Sequence, residues 1–181
     1  PYYMGSMDKI KPDTNAIVKW KQKYAGPYVI SAKLDGVSGL YSTENDDKKL
    51  YTRGDGKVGQ DISYLVPYLR LPNEKDIVIR GEFIINRHTF EDKYKAKFSN
   101  PRNFVSGMIN SKTVDAEKFA DVEFVAYEVI KPELVPSEQM KMLADINVAN
   151  VINETQTNVD NEMLSKMLVS WRETYKYESD G

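Results

Sequence analysis

Lys33, in the run Ser31-Ala32-Lys33-Leu34-Asp35-Gly36, is the residue of this chain best suited to covalent chemistry. A lysine amine attacks phosphorus only without its proton, and with an ordinary pKa of about 10.4 roughly one amine in a thousand is free at neutral pH. Nearby cations and partial burial both disfavour the ammonium, so Arg53, Arg80 and Arg102, if they converge on Lys33, would free the amine and also bind phosphate oxygens. Asp35 would act in the opposite sense, and fits better as an orienting group, a proton acceptor or a metal ligand facing the amine. A Lys-x-Asp-Gly quartet arises by chance in roughly one chain in twenty-five of this length. Its neighbours therefore decide what it means.

Four further segments carry chemistry-bearing residues. Thr52-Arg53-Gly54-Asp55-Gly56-Lys57-Val58-Gly59-Gln60-Asp61 sets three glycines among charges, which lets backbone approach a phosphate or sugar; as a bland alternative it is a hairpin turn. Neither the dinucleotide fingerprint nor the P-loop spacing is met. Glu82, in Arg80-Gly81-Glu82, interrupts an apolar strand, as a satisfied core ion pair would or as a ligand to ribose or metal would. Asn100-Pro101-Arg102-Asn103 is a turn entering a helix, from whose start Arg102 would project where free amides also welcome phosphate. Tyr127 alternates within a strand and either packs in the core or offers its ring to a base. His88 has no evident partner and reads as a surface residue at a helix start.

These residues need a scaffold, and 181 residues at 41% hydrophobic and 29% charged suffice for a sizeable core. Residues 13–25 read as an amphipathic helix capped by Asp13 or Thr14, with Ile17, Trp20 and Tyr24 on one stripe and Gly26-Pro27 as the stop. Tyr28-Val29-Ile30 leads as a strand into the lysine motif; Val37 to Tyr41 continues as a strand, and a polar loop at 44–49 returns to Leu50-Tyr51-Thr52. Lys33 thus sits near a strand end, beside a turn. The strongest strand signal spans 76–86, a helix follows at 88–97, and a second strand runs 122–130. The remainder reads as helices at 136–146 and 160–175, the latter with Met163, Met167, Trp171 and Tyr175 as a core stripe. Hairpin strands with intervening helices indicate an α+β fold rather than a doubly wound parallel sheet.

Composition narrows the function classes. Cysteine is absent and His88 is the single histidine, which excludes disulfides, thiolate sites and a histidine pair for zinc; any metal is expected to be hard and oxygen-bound. No apolar run matches a bilayer span and the N-terminus lacks a secretory pattern, so no membrane partner and an intracellular location are expected. The net charge is −2, yet residues 1–112 carry 19 Lys+Arg against 13 Asp+Glu and residues 113–181 carry 6 against 14. The first part is the one able to hold polyphosphate.

Taken in order, Lys33-Leu34-Asp35-Gly36, Thr52-Arg53-Gly54-Asp55-Gly56 with Gly59 and Asp61, Arg80-Gly81-Glu82, Asn100-Pro101-Arg102-Asn103 with Gly107, and Phe124-Val125-Ala126-Tyr127 resemble the adenylation domain of NAD-dependent DNA ligases. Met4-Gly5-Ser6-Met7-Asp8 resembles the family's segment at the domain entrance, and Asp180-Gly181 the start of its fourth nucleotidyltransferase motif. The resemblance implies a covalent nucleotidyltransferase (ATP-grasp-like) fold with antiparallel sheets flanked by helices. It implies that Lys33 attacks the α-phosphorus of NAD, expels nicotinamide mononucleotide and holds AMP as a phosphoramidate, from which AMP passes to the 5′-phosphate of nicked duplex DNA. By the same resemblance Arg53 and Glu82 contact the nucleotide sugar and metal-phosphate region, Arg102 the phosphates, and Tyr127 adenine. Ser6 and Met7 would line the base pocket, Ser31 and Leu34 belong to the same cofactor-binding set, and Mg2+ would be held by Glu82 and Asp180.

The chain departs from the family at Ser31, where glutamate is usual for reading the adenine amino group, and at Asn110-Ser111-Lys112, where a further arginine is usual. These changes and the short loops suggest a divergent, viral or phage member. The expectation is a monomeric adenylation domain over residues 1–181, cut from a longer ligase. The module that grips nicotinamide mononucleotide, the later lysine motifs and the OB-fold would lie outside it, leaving the fragment weak in nucleotide binding and nick sealing. Two other readings remain open: an ATP-dependent polynucleotide ligase or capping-type nucleotidyltransferase with the same lysine chemistry, and a non-catalytic nucleic-acid-binding module.

Overall fold

The structure, a computed structural model, describes residues 2–5, 7–12, 14–54 and 57–181. Its organising element is a five-stranded sheet in the order β3-β2-β4-β5-β6, built from β2 (Val37–Ser42), β3 (Lys49–Thr52), β4 (Val78–Ile84), β5 (Glu123–Lys131) and β6 (Ala149–Asn150). The first three pairings are antiparallel, as expected from the hairpin pattern. The fourth differs: β5 and β6 run parallel, because α5 (Pro136–Asp145) forms the crossover between them. A second, two-stranded antiparallel sheet pairs β1 (Tyr28–Ser31) with β7 (Asn153–Gln156).

Alternation gives the large sheet two distinct faces. Tyr41, Leu50, Ile79, Phe83 and Phe124 point into the main core, where the Phe83 and Phe124 rings meet at 5.2 Å. Onto this side packs α3 (Pro101–Ile109) through Phe104, Val105 and Ile109, all buried, and Tyr94 stacks on Phe104 at 4.1 Å. Each such ring removed from water stabilises the fold by about 1.5–3 kcal/mol. On the opposite face Ser38 lies beside Glu82 and Leu40 beside Arg80, and Leu40 and Val78 cluster with Met4, Tyr2, Tyr51 and Ile130.

The remaining helices are α1 (Ala16–Lys23), α2 (Arg87–Lys93), α4 (Ala116–Phe119) and α6 (Asn161–Thr174). The first is shorter than expected: Asn15 is its N-cap, Thr14 accepts a bond from the Ala16 amide, and Asp13 lies outside the described residues. Ile17 is buried and Trp20 meets Tyr24 and Tyr28 at 5.4 and 5.2 Å. In α6 the Asp160 carboxylate accepts from the Met163 amide, capping the helix start, and the inner stripe is half-buried rather than a true core face. Trp171 and Tyr175 still pack against the core, and the Tyr175 hydroxyl accepts from the Ile152 amide at 3.0 Å. Among the described residues, no helix is long and apolar enough to cross a membrane.

Candidate functional site

Lys33 is the second residue past the end of β1, and a strand-like segment returning from α6 fixes it through both its amide and its carbonyl. The Lys33 amide donates to Gly181 O at 2.8 Å and the Asp180 amide donates to Lys33 O at 2.9 Å. Leu34 bridges Ser179, and the Asp35 amide donates to Glu178 O at 2.9 Å. This register delivers the Asp180 carboxylate to the Lys33 amine, with Nζ 3.1 Å from Oδ1 and 3.3 Å from Oδ2. The amine is half exposed, so a large substrate can reach it.

Of the three arginines that would free the amine if they converged on it, Arg80 is engaged elsewhere. Arg80 lies 3.3 Å from Glu128 and its guanidinium sits 5.7 Å from the centre of the Tyr127 ring. The cause is a β-bulge: Gly81 pairs with Ala126 but Arg80 pairs with Glu128, leaving Tyr127 as the extra residue. Tyr127 and Glu128 therefore both contact Arg80. Arg102, exposed at the start of α3 behind the Asn100 cap and Pro101, reaches Asp35 at 3.5 Å. Asp35 is thus an ion-pair partner of Arg102. Arg53 lines a cavity of about 210 Å3 with Met4, Leu40, Lys57 and Gly59, and its amide donates to Ser38 O at 3.3 Å. A larger open depression of about 580 Å3, around Lys131, Pro132 and Met142, holds none of these residues.

Glu82 is buried, and its Oε2 accepts from the Ser38 hydroxyl at 3.2 Å and its carboxylate from the Gly36 amide. Gly36 has to be glycine here, since a Cβ would lie 2.2 Å from Phe83 O. Burial pushes the Glu82 carboxyl up to about 7, outweighing those two bonds and the pull of Arg102 and Lys33. Burial likewise raises the Tyr127 hydroxyl. Ser38, Glu82 and Tyr127, with Arg80 beside them, therefore form one polar patch on this face.

Among the described residues there is no cluster of three or more acidic or histidine side chains able to cage a metal. Glu82 and Asp180 supply carboxylate oxygens, the ligand type of a hard cation that takes its other ligands from phosphate and water. Leu34 is buried under the motif, Ser31 ends β1 exposed, and Met7 is exposed beyond the Met4 anchor. Ser6 lies outside the described residues, as do Asp55 and Gly56 of the glycine loop; Gly54, at φ 57°, takes the left-handed conformation that loop requires. His88 is exposed at the start of α2, as expected. Sequence reasoning missed Ser38, legible only once strand register is known, and Arg172, which donates to Ser179 O at 3.3 Å and Asp180 O at 3.1 Å.

The family model for the NAD-dependent DNA ligase adenylation domain matches residues 6–181. A DNA ligase of Acanthamoeba polyphaga mimivirus is 42% identical over 189 aligned positions, covering 100% of this chain and 30% of that protein. Protein 205R of Invertebrate iridescent virus 6 is 36% identical over 198 positions, covering 100% and 31%. A DNA ligase of Aquifex aeolicus is 28% identical over 180 positions, covering 85% and 25%. The chain thus spans less than a third of the length of these relatives.

Proposed function

The chain belongs to the family of NAD-dependent DNA ligase adenylation domains, and on that premise we propose that Lys33 is the nucleophile that takes AMP from NAD. Its amine attacks the α-phosphorus; the N–P bond forms, the P–O bond to nicotinamide mononucleotide breaks, and the mononucleotide leaves. Asp180, whose carboxylate touches the amine, orients it for attack, and the proton released passes to water at this half-exposed site. The observation that carries this reading is the two-sided backbone register that holds Asp180 on Lys33. AMP then passes to the 5′-phosphate of a nick, and ligation follows in the longer protein.

The other residues bind and orient. The ring of Tyr127, backed by Arg80, stacks on adenine, with Ser6, Met7, Ser31 and Leu34 around the nucleoside. Arg53 contacts the sugar beside Glu82, and Arg102 turns from Asp35 to the phosphates. Glu82 and Asp180 would hold Mg2+, which would supply neutralisation of phosphate charge. Binding the cation at Glu82 also favours its ionised form, which burial alone opposes. The protein acts inside the cell as a monomer, with the mononucleotide-gripping module and the OB-fold supplied by the longer chain.

The test is incubation of the full-length protein with NAD or ATP, each labelled in the adenylyl group. Label bound from NAD is expected. Label bound from ATP alone would transfer the chain to the ATP-dependent branch.

A further inference from the structure

The segment that carries Asp180 leaves α6, a helix only half-buried along its inner stripe, so apolar packing holds the helix end loosely until the chain reaches the buried Tyr177. Three bonds from one residue fix it. Arg87, the first residue of α2, sends Nη1 to Arg172 O at 2.8 Å and Nη2 to Glu173 O at 3.3 Å, carbonyls of the last turn that have no partner within the helix. Its backbone amide donates to Lys176 O at 2.8 Å, just beyond the helix. Its Nε is buried and meets no acceptor among the described residues, so the guanidinium keeps this position despite the cost of desolvation.

Arg87 is itself firmly placed. It lies three residues past the end of β4, behind the buried Ile85, and Asn86 caps the helix it opens by accepting from the His88 amide at 2.9 Å. The same β4 strand carries Glu82. From the turn that Arg87 grips, Arg172 extends to the carbonyls of Ser179 and Asp180. The short chain from β4 to Arg87, its bonds to the end of α6 and those of Arg172 thus link β4 to the ion pair at Lys33, while the burial of Tyr177 anchors the start of the returning segment.

Resting on the adenylation reading above, we infer that Arg87 is a positioning residue: by clamping the end of α6 to β4 it holds the Asp180 carboxylate on the Lys33 amine. It touches neither substrate nor the reacting atoms.

The test uses the full-length protein and two readouts. Amide hydrogen exchange is measured on the parent, Arg87→Ala and Arg87→Lys. Release of the clamp is expected to speed exchange about tenfold at the Lys33, Asp35 and Asp180 amides and to leave Val78–Ile84 unchanged. Arg87→Lys, which keeps one donor on the helix end, is expected to fall between and serves if the alanine variant does not fold. Equal exchange at all sites overturns the clamp, whatever the chemistry.

The second readout is the rate of AMP attachment. A misplaced Asp180 should slow it about 10- to 100-fold at saturating NAD, with KM within about threefold of the parent. In an Asp180→Asn background the same change should cost less than about threefold, because the group being positioned is already gone. Losses that multiply in the double variant overturn the route through Asp180. If the parent itself attaches no AMP, the reading of Lys33 fails and the positioning role fails with it, even where exchange shows the clamp to be real.

Discussion

Glu82→Gln offers a quantitative test of the polar patch. The folded protein holds the Glu82 carboxyl at about 7 against an ordinary 4.5, with burial as the dominant cause. Below about pH 4.5 the group is protonated in both folded and unfolded chains and contributes no pH dependence. Between 4.5 and 7 the folded chain keeps a proton that the unfolded chain has released, so stability falls as pH rises. Above about 7 the loss is complete, and at 1.36 kcal/mol per pKa unit it amounts to about 3 kcal/mol. Glutamine cannot ionise, so the Glu82→Gln protein should be spared this loss. Its stability advantage over the parent should therefore grow by about 3 kcal/mol from pH 4.5 to pH 8, equivalent to about 6–12 °C in Tm for a domain of this size. Taking the difference between the two pH values cancels any constant effect of the new amide on Ser38 and Gly36. Urea and thermal unfolding of both proteins across that range provide the measurement. Parallel pH profiles for parent and variant would refute the burial argument.

Two further substitutions probe the same face. Gly36→Ala drives a methyl group into Phe83 O, 2.2 Å from the ideal Cβ position, and should destabilise the fold by about 3 kcal/mol; unfolding midpoints within error of the parent would show that the strands have room there. Tyr127→Ala should weaken adenine nucleotide binding about 5- to 100-fold in a titration while Tyr127→Phe retains it, and equal affinities in all three would remove the ring from the base site.

Local pattern made some elements readable and distance hid others. The apolar run at 76–86 became β4 and the run at 122–130 became β5, because a stretch rich in β-branched and aromatic residues is written into each segment and is largely buried in the sheet. Asn100-Pro101 marked the start of α3 for an equally local reason, a side-chain cap followed by a residue that needs no amide partner. By contrast Asn153-Glu154-Thr155-Gln156 has no apolar alternation; β7 exists because it pairs with β1, a partner more than a hundred residues earlier in the chain. The parallel placement of β6 depends likewise on the α5 crossover.

The same division runs through the site. Lys33, Glu82, Arg102 and Tyr127 were visible as residue types in order, but their contacts were not. The bulge that turns Arg80 onto Tyr127 and Glu128, rather than toward Lys33, follows from a slip in register that propensity does not encode. Asp180 and Lys33 are 147 residues apart, and only the docking of the returning segment makes them partners.

Intact-mass spectrometry of the full-length protein after incubation with NAD and magnesium tests the assignment of Lys33 most directly. Adenylation at this amine requires an AMP-sized adduct that is acid-labile, maps to Lys33 and vanishes in Lys33→Ala. An adduct that persists in Lys33→Ala, or maps to another lysine, would contradict it.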